Sequence, residues 1–345
     1  MKKNFICFLL SISISSFLFV ACGSDNDSKD PIPDVSNIKI DLKLRRFEQE
    51  IFKIDTNNVV LGFQALKQQF PLMTEVFTQH VINDGRFSTP EQVLGGFIKS
   101  SSVRKLNDTV QIAYPELNDL EKDLKQALQF YKYYFPKKVV PEVNTYLSEY
   151  SIPAFTYGDS LLAIGLDLYL GENHTGYDPN YFPKYTTRSM NKAHLLSKTM
   201  TVLAQDLAGQ AQGNNRLLDV MIQKGKVLYL VDKFLPYTPD SIKFEYTAKQ
   251  MDWCTTNEAE VWSYLLSEKL LYSVKQMDWA KLVNPSPTGT TKMPTNSPGR
   301  VGNWMGYRII RAYMKKHPNT SLEQLLSLKD AQKILDESKY KPKRK

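Results

Sequence analysis

The residues able to do chemistry are sparse and scattered. The four histidines, His80, His174, His194 and His317, stand far apart in the chain. A zinc peptidase helix needs His-Glu-x-x-His, because a spacing of four aims both imidazoles at one ion. His194 has Lys198 at that spacing, so the pair does not form there. The phosphate loop G-x-x-x-x-G-K-[ST], the dinucleotide fingerprint G-x-G-x-x-G and the nucleophile elbow G-x-S-x-G are missing from the sequence. Nucleotide-driven and serine-hydrolase readings lose their usual support.

The densest polar and aromatic stretch runs from Tyr246 to Trp262. Asp252 and Glu258 between Trp253 and Trp262 have the residue types of a glycosidase, two carboxylates facing across an aromatic-walled cleft. The plainer reading is a capped helix start carrying two half-buried tryptophans, since acids near a helix N-terminus are favoured by its dipole. A second stretch, Ser297 to Tyr307, feeds a Pro-Gly turn into a helix beside Arg300, an arrangement that suits an anion. The structural alternative is close helix packing through Gly302 and Gly306, with Met305 and Ile309 beneath. Asp252, Trp253, Glu258, Trp262, Arg300 and Trp304 are therefore the candidate binding or packing cluster. No catalytic residue, metal ligand or cofactor is assigned. Cys254 is expected to be buried rather than a reactive thiol.

These residues need a scaffold, and the composition supplies one. The 345 residues are 42% hydrophobic and 12% aromatic, which excludes both a disulfide-dependent mini-protein and a disordered chain. Lys and Arg number 44 against 36 acids, but Lys2, Lys3, Lys339, Lys341, Lys343, Arg344 and Lys345 account for most of the excess. The body between is close to neutral, so nucleic acid is not an expected partner.

The N-terminus sets the compartment. Lys2 and Lys3 precede an uncharged run from Phe5 to Val20, too short to span a bilayer comfortably and fitting a signal segment. Ala21-Cys22-Gly23 after it reads as a bacterial lipobox, although Phe19 replaces the usual Leu. Cleavage before Cys22 and acylation there give two-signal anchoring in the membrane. The expected organisation is a signal peptide over 1–21, an acidic tether over 22–36, one mainly helical domain over 37–340 and a basic tail over 341–345. Cys7 leaves with the signal and Cys22 carries lipid, so Cys254 has no disulfide partner.

Alternating Ile38, Ile40, Leu42 and Leu44 predict a strand. A helix from Asn57 is stopped by Pro71. Thr89-Pro90-Glu91 opens another, with Thr89 as cap. Tyr114-Pro115-Glu116 opens the longest, ended by Tyr133 to Pro136. Ile152–Tyr157 and Leu161–Asp167 predict a hairpin, followed by a loop from Gly171 to Pro183. Helices are expected over Met190–Ala211, Asn215–Leu230, Thr247–Cys254, from a Thr256 cap onward, Val301–Lys316, Leu322–Leu328 and Asp330–Glu337. The class is α+β, mainly α, with a small sheet.

An ordered set of motifs resembles the gliding motility lipoprotein GldB family. It comprises Arg46-Phe47-Glu48, Tyr134-Phe135-Pro136, the run Ile164 to Gly171, Met221 to Tyr229, Trp253 to Trp262, Ser297 to Gly306 and Ser338 to Pro342. The resemblance implies an envelope lipoprotein tied to gliding and its linked secretion machinery, most naturally at the outer membrane, with other envelope proteins as partners and no established enzymatic activity. The layout also resembles a degenerate zinc-peptidase scaffold: a hairpin strand, a helix at the place of His-Glu-x-x-His, then a Gly-containing helix. A divergent envelope hydrolase, metallopeptidase-like or glycan-cleaving, is the alternative.

Overall fold

Leu161 to Gly165 has no polar side chain, and the computed structural model of the protein buries all five residues. A strand covered on both faces needs such a run. The structure describes residues 31–42, 44–211, 213 and 215–342. The signal segment, Cys22, most of the tether and the last residues of the basic tail lie outside the described residues. Contacts divide the chain at Asp34, and among the described residues the sheet and helices belong to the unit that starts at Val35.

Four strands, β1 (Leu44–Arg46), β2 (Glu142–Tyr146), β3 (Ala154–Tyr157) and β4 (Leu161–Gly165), form one sheet in the order β1-β2-β4-β3. β2 runs parallel to both β1 and β4, and β3 returns antiparallel to β4. The expected hairpin is present, turned at Gly158 with φ 53°. The strand expected over Ile38–Leu44 is displaced. Pairing covers Leu44, Arg45 and Arg46, while Ile40 and Leu42 are buried ahead of it. Helix begins at Phe47 because Phe47 and Glu48 turn inward. Phe47 packs edge-on to Phe70 and Phe77, and Glu48 accepts from Arg46 Nε at 2.8 Å and Thr145 Oγ1 at 2.6 Å. The Arg-Phe-Glu motif is thus a joint between sheet and helices.

The crossover from β1 to β2 is helical: α1 (Phe47–Ile51), α2 (Val59–Gln69), α3 (Pro71–Val76), a π-helical turn at Phe77–Val81, α4 (Pro90–Lys99), α5 (Ser101–Ala113) and α6 (Asn118–Tyr134). Pro71 ends one helix only to open the next at its first position, where its missing N–H costs nothing. Thr89 caps α4 by accepting from the Gln92 N–H, as its spacing predicts. α6 starts at Asn118, later than the Tyr-Pro-Glu signal suggests.

After β4 and a 3-10 turn at Leu166–Tyr169 come α7 (Lys184–Thr187), α8 (Lys192–Ala208), α9 (Leu217–Phe234), α10 (Asp240–Phe244), α11 (Ala248–Thr256), α12 (Glu258–Ser267), α13 (Gln276–Val283), α14 (Val301–Lys316), α15 (Leu322–Ser327) and α16 (Ala331–Ser338). At 18 residues α9 exceeds the 17 of α6, which corrects the expectation that α6 is longest. Thr256 ends α11, and Asn257 rather than Thr256 precedes α12. The fold is α+β, mainly α.

α9 is the central pillar, packed against α14, α8 and α6. Its crossing with α14 is close because both helices present glycine. A Cβ on Gly306 would lie 1.9 Å from the Met221 carbonyl oxygen, and one on Gly225 would lie 2.3 Å from the Gly306 carbonyl carbon. Met305 and Ile309 are buried on the same helix, so the structural reading of this glycine spacing holds.

Candidate functional site

The six candidate residues divide between separate hydrogen-bond networks. Glu258 opens α12 and is buried. Its Oε1 accepts from Arg308 Nε at 2.9 Å and from the Tyr340 hydroxyl at 2.5 Å. Trp262 meets the Tyr340 ring edge-on at 5.3 Å, and Arg308 lies over Trp304 at 5.7 Å. The carboxylate therefore ties α12, α14 and the segment after α16 together. Burial and the Glu258 charge drive the Tyr340 hydroxyl far above its ordinary pKa, so it remains a proton donor. Asp252 is exposed on α11 and takes no part. Trp253 donates to Asn296 Oδ1 at 3.1 Å. The structure does not place Asp252 and Glu258 as a facing pair of equivalent carboxylates.

Arg300 belongs to a second network. The Pro298-Gly299 turn leaves it at φ 62° immediately before α14, and Gly299 is pressed against Ser286. Its guanidinium donates to Glu245 Oε1 at 3.2 Å and to the carbonyls of Phe244 and Glu245 at 3.2 and 3.4 Å. Glu245 ends α10, also left-handed at φ 54°. Its other oxygen accepts from Ser189 Oγ at 2.7 Å and Lys198 Nζ at 2.8 Å. Arg188 Nη2 reaches the Glu245 carbonyl at 2.9 Å. Burial alone would raise the Glu245 pKa; the Arg300 and Lys198 charges overrule it and hold the carboxyl well below the ordinary range.

His194 and Lys198 lie one turn apart on α8, at the place where the resemblance puts a zinc helix. Both face this network. His194 Nδ1 is 2.9 Å from Asn191 Oδ1, and burial lowers its pKa. Among the described residues no group of three or more His, Cys, Asp or Glu is placed to hold a metal ion.

Sequence spacing identifies Arg300 but not its partners. Glu245 carries no local signal, because Ser189, Lys198 and Arg300 reach it from distant parts of the chain. A third site is equally silent in the sequence. Asp167, in the 3-10 turn directly after β4, is fully buried, and its Oδ2 accepts from the N–H groups of Ser148 at 3.1 Å and Tyr150 at 2.7 Å. Its Oδ1 has no partner, and burial raises its pKa to about 6. Glu149 and Tyr150 adopt φ of 51° and 65° to wrap round it. The run Ile164 to Gly171 holds this aspartate in plain view, yet its surroundings come from elsewhere in the chain.

Cys254 is buried, and burial pushes its thiol up to about 12. Among the described residues no helix is long and apolar enough to cross a membrane.

A family model described as gliding motility protein GldB matches residues 28–342, nearly the whole chain. No curated protein and no solved structure matches.

Proposed function

Because the chain belongs to the gliding motility protein GldB family, we propose that it is a lipid-anchored cell-envelope protein that assists assembly of gliding and linked secretion components without catalysing a reaction. Anchoring falls to acylated Cys22, with residues 22–36 as tether and the outer membrane as the bilayer. Its partners are other envelope proteins of that machinery.

The observation that supports a non-catalytic role is the fate of Lys198. It occupies the second position of the i,i+4 pair on α8, and its ammonium is committed to Glu245 at 2.8 Å. Arg188 and Arg300 stand beside it. Three cations around one carboxylate repel a divalent ion rather than hold it. Glu258, one of the two glycosidase candidates, is spent on Arg308 and Tyr340.

The test is co-purification from detergent-solubilised envelopes. Wild-type protein should bring down envelope partners in stoichiometric amount, and Cys22→Ser should lose both membrane retention and those partners. Recovery of the anchored protein alone, or one equivalent of zinc in the purified protein, would overturn the proposal.

A further inference from the structure

Two guanidiniums converge on one atom in this protein. Arg188 Nη2 and Arg300 Nη2 lie 2.9 and 3.4 Å from the same Glu245 carbonyl oxygen. Like charges brought together repel, and the Arg300 charge indeed joins burial in lowering the Arg188 pKa. Arg300 has the Glu245 carboxylate for compensation. Among the described residues, the Arg188 guanidinium has only the carbonyl within hydrogen-bonding distance, and Glu172 is the other acid whose charge acts on it.

The place is a recess. Glu245 and Arg300 are surrounded by protein densely enough for burial to be the leading influence on each. Yet about a quarter of each side chain stays open to water, 25% and 22%. Groups that are enclosed but still wetted sit on the floor of a depression. Beside it the Tyr169 hydroxyl is buried without a hydrogen-bond partner, and Glu245 is the charge that acts on it most. A buried hydroxyl left unpaired is costly unless something else supplies its partner.

The donor set has a definite character. Arg188, Lys198 and Arg300 stand against the Glu245 carboxylate and the Glu172 charge that acts on Arg188, which leaves a surplus of one positive charge. A single carboxylate matches that surplus; a phosphate dianion exceeds it and would press against Glu245. Asn191 donates its amide N–H to the Arg188 carbonyl at 2.8 Å, so its oxygen is the atom facing His194 Nδ1. The proton therefore sits on Nδ1, and Nε2 of the neutral ring is an acceptor. Cationic forks for a carboxylate beside a neutral acceptor for an N–H match the end of a polypeptide.

We propose that the recess formed by Arg188, His194, Lys198, Glu245 and Arg300 binds the C-terminal carboxylate of a peptide, with Arg188 as the principal donor and His194 Nε2 accepting the last amide N–H. The proposal does not involve Cys22, so its failure leaves the proposed anchoring role standing.

The experiment is a melting titration of the full-length lipoprotein in detergent at fixed ionic strength, using N-acetyl-alanyl-alanine, its C-terminal amide, acetate and inorganic phosphate. The dipeptide acid should raise the melting temperature saturably, and the amide should not. Acetate and phosphate should each need at least about tenfold more ligand, the loss expected when one good polar contact is missing. Arg188→Gln, with its shift read against its own unliganded melting temperature, should respond to the acid at least about tenfold more weakly. If that variant does not fold, Arg188→Lys keeps the charge, loses the fork, and should show the same weakening. Equal responses to acid and amide, a phosphate or acetate response matching the acid, or an undiminished response in the folded Arg188 variant would each overturn the proposal.

Discussion

Glu245 and Arg300 form an ion pair at 3.2 Å in which both partners hold left-handed backbone, at φ 54° and 62°. Each non-glycine residue in that region costs on the order of 1 kcal/mol. The pair recovers this only if both turns bring the side chains together: one ends α10, the other precedes α14. Strain and ion pair are therefore coupled.

Glu245→Gln tests that coupling. It leaves Lys198, Arg188 and Arg300 grouped without their carboxylate, and should lower unfolding stability by about 2–3 kcal/mol. The loss should be largest near neutral pH. Glu245 has a depressed pKa in the folded protein, so its contribution is present above the unfolded value and disappears as pH falls through the folded one. Urea denaturation of both proteins at several pH values checks this.

Asp167 gives the opposite pH dependence. Its folded pKa of about 6 lies above the ordinary aspartate value of 3.8, so the folded protein binds the extra proton more readily. The Asp167 contribution to stability should be greatest below about pH 4 and fall by about 3 kcal/mol as pH rises from 4 through 6. Asp167→Asn, which cannot ionise, should flatten that slope in a denaturation series from pH 4 to 7.

Gly306 leaves no room for a methyl group, since the opposing atom is backbone. Gly306→Ala should force α9 and α14 apart and cost about 3 kcal/mol or more. Gly209, with open space around its added carbon, serves as the comparison in thermal melts, although its φ of 67° adds a smaller backbone penalty.

Tyr340→Phe should release the segment after α16 without disturbing the sheet. Losing the hydrogen bond to a buried carboxylate costs about 1.5–3 kcal/mol. Hydrogen exchange should accelerate around Tyr340 and the start of α12 while β2 and β4 remain protected. Uniform acceleration would show that Glu258 supports more than this contact.

Legibility in the sequence follows the range of the signal. Val301–Lys316 is legible at both ends, because a Pro-Gly turn and a periodic apolar face are local facts. The Thr89 cap is legible for the same reason. β2 is not, because Asn144 and Thr145 look like loop residues. They are buried there because β1 and β4 pair with their backbone on both sides and Glu48 accepts from Thr145. Of the candidate cluster, Glu258, Trp262 and Trp304 lie around one network, whereas Arg300 lies in another and Asp252 in neither, because sequence proximity does not reveal which way a turn faces. Glu245 and Asp167 are invisible as sites because their partners come from positions no periodicity connects.

The Glu258–Tyr340 bond spans 82 residues and the Glu48–Thr145 bond spans 97. A chain delivered amino end first cannot close the earlier of these until β2 has emerged, nor the later until Tyr340 has. Docking of the trailing segment onto the α12–α14 pair is thus postponed until the last residues are delivered. A polypeptide that must be threaded through a narrow channel before it settles gains from such delay, since this last clasp does not close while threading is under way.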